Sequence, residues 1–221
     1  MVRILLVDDH PLVRSGLRAE IEVHEGMQVV AEAGTAAEAL ERLAVERPHV
    51  AVIDVRLGDE CGIDLGRRIV AQSPCATVLL TAFDWDVYLV RAWEAGAAAF
   101  VTKSDDTTAL VEAIRGAADG ARVFSAEQRL RIDAWQRDVA APLALLSERE
   151  GAVLRLIAEG ATNREIAAEL GLAVKTVEAH VHSILRKLRQ PSRRAALVWA
   201  RRHRITEYAP SKTPLHRRFP W

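Results

Sequence analysis

Through the first 120 residues, five short apolar runs alternate with amphipathic stretches, and that alternation admits few folds. Val2–Val7, Gln28–Ala33, Val50–Val55, Thr77–Thr81 and Ala98–Val101 read as strands. They are short, flanked by polar or turn residues, and mostly continuous rather than alternating. Continuous apolar runs fit strands buried on both faces. Between them, Pro11–Val23, Ala36–Glu46, Ile63–Gln72, Trp85–Ala95 and Thr107–Ala118 carry helical spacing. Five β–α repeats predict an α/β fold: a parallel sheet with right-handed crossovers and helices on both faces.

The remainder lacks strand signals. Ser125–Val139 has helical character, with Ser125 as N-cap and Gln128 spaced to complete a capping box. Pro142 is expected to end that helix. Four further helices follow: Ser147–Ala158, Asn163–Leu170, Val174–Arg189 and Ser192–His203, punctuated by Gly160, Gly171 and Pro191. The proline-bearing tail is expected to be unordered. The predicted organisation is an α/β domain over 1–120, a partly helical linker over 121–145, an all-α four-helix domain over 146–206 and a tail over 207–221.

Charge supports the division. The formal net charge of zero conceals 20 acidic against 11 basic residues up to Gly120, and 10 against 19 beyond it. An acidic half joined to a basic half predicts two domains with different partners, the basic one facing nucleic acid. No apolar run approaches the ~20 residues of a membrane span. The apolar start meets Asp8 too early for a signal-peptide core, so a cytoplasmic protein without membrane association is expected. Two cysteines, Cys61 and Cys75, make neither a disulfide framework nor a four-ligand zinc site.

In open parallel sheets, ligands bind at the carboxyl ends of the strands, where the strand order reverses. With strand order 2-1-3-4-5, strands one and three are neighbours. Their ends carry Asp8, Asp9 and Asp54; strand four ends at Thr81, and Lys103 follows strand five. Clustered carboxylates need a cation, and oxygen ligands with room for water suit Mg2+. A carboxylate beside that ion can attack phosphorus, and a lysine can hold a phosphoryl oxygen. Each residue alone has an ordinary explanation, such as a solvated loop for Asp8–Asp9 or core packing for Phe100. The joint placement at strand ends points to phosphoryl chemistry.

The segments LLVDDHPLVRSGL, VIDVRLGDECGIDL, LLTAF and AAAFVTKS resemble the receiver domain of two-component response regulators, which has the flavodoxin-like order 2-1-3-4-5. The resemblance implies that Asp8, Asp9 and Asp54 hold Mg2+ and that Asp54 is phosphorylated by a sensor histidine kinase. Lys103 would contact the phosphoryl group, Thr81 would be the switch hydroxyl and Phe100 the switch aromatic. Two positions depart from the pattern: Gly58 stands where proline is usual, and Cys61 where a small polar residue or Asp is usual. Gly58 is expected to loosen its loop.

In the basic half, Ala161–Leu170, a turn at Gly171–Leu172 and Val174–Arg189 fit a helix-turn-helix. The second helix of such a pair lies in the DNA major groove. Ile166, Leu170, Val177, Val181, Ile184, Leu185 and Leu188 are the expected core. The stretch from Leu146 to Leu188 is similar to the LuxR-type, NarL/FixJ-class DNA-binding domain. The resemblance places Lys175 and Thr176 on phosphates of double-stranded DNA, Glu178, Ala179 and His182 at bases, and Arg186 and Lys187 on the backbone. Ala173 stands where a serine usually caps this helix, and Arg189 where glycine usually follows it.

Together the halves imply a transcription regulator rather than an enzyme, in which phosphorylation of Asp54 promotes homodimerisation on operator DNA. The alternative is a phosphorylation-independent regulator whose receiver is a protein-interaction module. A phosphate-ester hydrolase of the haloacid dehalogenase type would resemble D-x-D at the first strand, whereas Asp8 and Asp9 are adjacent.

Overall fold

The computed structural model describes residues 1–208. It divides into two compact units, Met1–Ile132 and a second beginning at Asp133.

The first unit is built on β1 (Val2–Val7), α1 (Pro11–Glu22), β2 (Met27–Ala33), α2 (Ala36–Glu46) and β3 (Val50–Asp54). It continues through β4 (Arg56–Leu57), β5 (Glu60–Cys61), α3 (Gly62–Gln72), β6 (Ala76–Thr81), α4 (Asp86–Glu94), β7 (Ala99–Thr102) and α5 (Thr107–Ala118). Five strands pair in parallel in the order β2-β1-β3-β6-β7, which is the 2-1-3-4-5 order expected. Every residue of β3 and β7 is buried, which is why these strands read as unbroken apolar runs. Thr35 and Asp106 cap α2 and α5 by accepting from the N–H groups of Glu38 and Thr108.

The antiparallel pair β4–β5 was not foreseen. Arg56 faces Cys61 and Leu57 faces Glu60, leaving Gly58-Asp59 as a two-residue turn. Gly58 has φ +57°, a positive φ at the first central residue, as the tight primed turns require. Proline can neither adopt that angle nor donate a backbone N–H. The expected loosening is therefore replaced by a hairpin, pinned where the Glu60 carboxylate accepts from the Ala36 N–H at 3.1 Å. Gly62 is equally constrained, because a Cβ there would stand 1.8 Å from the Asp54 carbonyl oxygen.

Trp85, Leu89 and Trp93 share one helical stripe but not one environment. Leu89 is fully buried, while Trp85 stacks on Phe83 and Trp93 meets Phe124 edge-on. Both cysteines are free thiols, and burial pushes the Cys75 thiol up to about 12.

Helix α6 (Ala126–Trp135) opens with the expected capping box: Ser125 and Gln128 each accept from the other's backbone N–H at 3.0 Å. Pro142 does not end the helical path. A π-helical turn, Gln136–Ala140, widens the backbone just before it, and α7 (Ala141–Ala144) carries the proline in its first turn. The wider turn relieves the clash a proline ring makes one helical turn back.

The second unit then folds as α8 (Glu148–Glu159), α9 (Asn163–Leu170), α10 (Val174–Lys187) and α11 (Arg193–Arg202). Capping boxes open α8 (Ser147 with Glu150) and α9 (Thr162 with Glu165). Val153, Leu154, Ile157, Ile166, Val177, Ile184, Ala196 and Ala200 are fully buried. Leu170 and Leu185, expected in this core, are half-buried. Arg201 Nε donates to the Ala158 carbonyl at 2.7 Å, tying α11 to α8. Tyr208, expected in an unordered tail, is buried against Trp135; the tail from 209 lies outside the described residues.

Candidate functional site

Parallel strands present their carboxyl ends on one edge of the sheet, and the chemistry-bearing residues of the first unit gather there. Asp8 follows β1, Asp54 ends β3, Thr81 ends β6 and Lys103 follows β7. The Lys103 Nζ lies 2.7 Å from Asp8 Oδ2 and 3.1 Å from Asp54 Oδ2, so one ammonium bridges two carboxylates 46 residues apart in the chain. Asp8 is buried, and its other oxygen accepts from the His10 N–H at 2.8 Å. Asp54 is 7% exposed, which leaves it an opening to solvent. Burial pushes its carboxyl above the usual range, and Lys103 opposes that shift. Burial alone would lower the Lys103 ammonium, but Asp8 and Asp54 together outweigh it and raise the group.

Asp9 flanks this cluster. Its Oδ2 accepts from the Gly58 N–H at 3.1 Å, a bond the family's usual proline could not make. Its Oδ1 is buried and, among the described residues, accepts no hydrogen bond, although His10 Nδ1 lies 2.8 Å away. Asp8, Asp9 and His10 can turn three ligand atoms to within 4.8 Å of one another. A carboxylate oxygen without a donor, beside a second carboxylate, fits a hard divalent ion. The contacts of His10 and Gly58 with Asp9 were not legible in the sequence, because neither residue type signals such a contact by itself.

Thr81 is fully buried on the strand beside Asp54, one residue beyond its register partner Leu80. Its hydroxyl accepts from the Phe83 N–H at 3.1 Å rather than bonding the carboxylates. Phe100 is buried in β7, and its carbonyl accepts from Gln128 Nε2 at 2.9 Å.

In the second unit, Gly171 at φ +65° turns α9 into α10. Val177, Val181 and Ile184 are buried, so the residues between them face out. Lys175, Thr176, Glu178, Ala179, His182 and Arg186 are all exposed. Ala173 stands at the N-cap without a side-chain hydrogen bond, a loss of about 1 kcal/mol relative to serine. Lys187 is differently placed: its Nζ pairs at 2.6 Å with Glu150, which is 4% exposed. Burial alone would raise Glu150, but bonds from Lys187, Ser183 and Ser147 outweigh it and hold the carboxyl at about 2.

Comparison with known proteins matches each unit to a known domain family. Residues 4–115 match the response regulator receiver domain, and residues 144–200 match the bacterial regulatory proteins of the luxR family. The chain is 36% identical over 218 residues to the DNA-binding transcriptional activator DevR/DosR of Mycobacterium tuberculosis, covering 97% of this chain and 98% of that one. It is 30% identical to the response regulator protein VraR of Staphylococcus epidermidis, over 93% of this chain and 99% of the relative. Among solved structures, the response regulator RcsB in its DNA complex superposes with a TM-score of 0.63 at 26% identity, covering 90% of this chain and 96% of that one. The chain therefore belongs to the response regulators that join a receiver domain to a LuxR-type DNA-binding domain, a family of transcription regulators rather than enzymes.

Proposed function

We propose that this protein is a cytoplasmic regulator in which phosphorylation of Asp54 by a sensor histidine kinase promotes homodimerisation and binding to a two-fold operator in double-stranded DNA. The observation that carries this reading is the Lys103 ammonium bridging Asp8 and Asp54 at the open edge of the sheet. No helix among the described residues is long and apolar enough to cross a membrane.

Asp54 is the nucleophile: one carboxylate oxygen forms the new O–P bond as the N–P bond of the kinase's phosphohistidine breaks and the imidazole leaves. Lys103 holds a phosphoryl oxygen and offsets the new charge. Receiver domains bind Mg2+ at an acidic pocket of this kind, and Asp8, Asp9 and Asp54 are the residues that would hold it here; of these, Asp8 and Asp9 lie with His10 in one group of close ligand atoms. When bound, the ion supplies positive charge that neutralises the carboxylates and the transferring group. The added phosphoryl charge of about −1.5 to −2 draws the Thr81 hydroxyl away from the Phe83 N–H and unsettles the packing around Phe100.

The division of labour follows the proposed boundaries: receiver over 1–120, linker over 121–145, DNA-binding domain over 146–206. Lys175 and Thr176 contact phosphates, Glu178, Ala179 and His182 read bases, and Arg186 and Lys187 contact the backbone. Lys187 reaches the backbone only by sharing its ammonium with Glu150. Glu178 suits the N4 donor of cytosine. Most of the affinity comes from counterion release.

The test compares DNA binding by wild type and Asp54→Asn, each incubated with acetyl phosphate and Mg2+, using genomic fragments selected by the phosphorylated protein. Wild type should tighten about tenfold or more on phosphorylation, and Asp54→Asn should not respond. If both bind alike, the receiver acts without phosphorylation, as an interaction module.

A further inference from the structure

The reading helix is closed by a residue poorly suited to closing it. After the C-cap Leu188, the Gln190 N–H donates to the Leu185 carbonyl at 2.8 Å and the Arg189 N–H to the Arg186 carbonyl at 3.3 Å. This is the paired bonding of a Schellman turn, which forces the residue after the cap into left-handed backbone. Arg189 has φ +53°. Glycine adopts that conformation freely, whereas a residue with a Cβ is strained in it. Two neighbouring helices in the same unit use glycine: Gly160 closes α8 at φ +102° and Gly171 closes α9 at φ +65°.

Strain of this kind is tolerated at functional positions. Arg189 is exposed, and among the described residues its guanidinium has no ion pair and no hydrogen bond. Its side chain lines a groove with His182, Arg186 and Gln190 over Leu185 and Pro191. The groove lies at the far end of the helix whose outer side carries Lys175, Thr176 and Glu178. Two other arginines have positive φ. Arg204 is paired with Glu207, and Arg47 closes α2 in the first unit.

We infer that Arg189 is a further phosphate contact to duplex DNA, holding the backbone beyond the base-reading positions of α10. The inference rests on the DNA-binding reading above. Arg186 and Arg189 are both exposed at this end of α10, on the side that carries His182, and two guanidiniums there match a phosphate backbone in charge. Arginine costs the fold strain and gives the complex a contact, so replacing it with glycine should stabilise the free protein and weaken DNA binding.

That pairing of opposite signs is the test. Full-length wild type, Arg189→Gly, Arg189→Gln and Arg47→Gly are titrated with a fluorescent mixed-sequence duplex at several salt concentrations, and their unfolding is followed by heat. Arg189→Gly should raise the unfolding midpoint of the helical unit by about 4 °C. It should also weaken DNA binding about three- to tenfold and flatten the salt slope by about 0.9 per arginine removed. Arg189→Gln, which keeps the Cβ, should lose the same affinity without the thermal gain. Arg47→Gly, which relieves equivalent strain and removes equal charge elsewhere, should bind as wild type does. Unchanged affinity and slope in both Arg189 variants would overturn the assignment. Failure of the DNA-binding reading looks different: wild type itself would show no salt-dependent binding.

Discussion

Glu150→Gln should destabilise the helical unit by about 3 kcal/mol, as read by unfolding in denaturant at neutral pH. Glu150 is almost wholly buried, caps α8 through Ser147, and receives the Lys187 ammonium at 2.6 Å from α10. It therefore ties α8 to α10. Its carboxyl is held at about 2 against an ordinary 4.5. A depressed carboxyl contributes stability in full above the unfolded value and loses it as the group protonates in the fold. The contribution is thus complete above about pH 4.5 and fades as the pH falls towards 2. Wild type should lose stability across that window, and Glu150→Gln should lose much less. Because Lys187 still reaches water, its unpaired charge adds little further cost. Equal stability of the two proteins at neutral pH would show that the pair is incidental.

Lys103→Met should slow phosphorylation by acetyl phosphate about 10²-fold, the usual loss when a cation or donor aimed at developing charge is removed. Two effects act together. The transferring group loses a positive partner, and Asp54 loses the charge that opposes its burial, so less of it is the nucleophilic carboxylate. Intact mass against time gives the rate, and circular dichroism checks that the sheet is formed. A wild-type rate in Lys103→Met would mean that the ammonium bridge is only structural.

Much of this was legible in the residues because two signals were independent of tertiary detail. The five strands are buried on both faces, so their apolar runs are continuous and their ends fall within a residue of those expected. The acidic cluster was legible because strand ends carry it. What stayed hidden depends on contacts between distant segments. Gly58 looked like lost stiffness, yet a hairpin and a bond to Asp9 compensate. Lys187 counts as outward on a helical wheel, but Glu150 lies 37 residues away in the chain and draws it in. Pro142 reads as a terminator because periodicity gives no sign of a π-turn ahead of it.

Convergence of the separated carboxyls is what would let Asp54 take phosphorus. Treating the full-length chain with acetyl phosphate and Mg2+, then locating the added mass by peptide mapping, tests it most directly. One phosphoryl group is expected, on the peptide containing Asp54, and none when Mg2+ is withheld. A phosphoryl group on any other residue, or no modification at all, would contradict it.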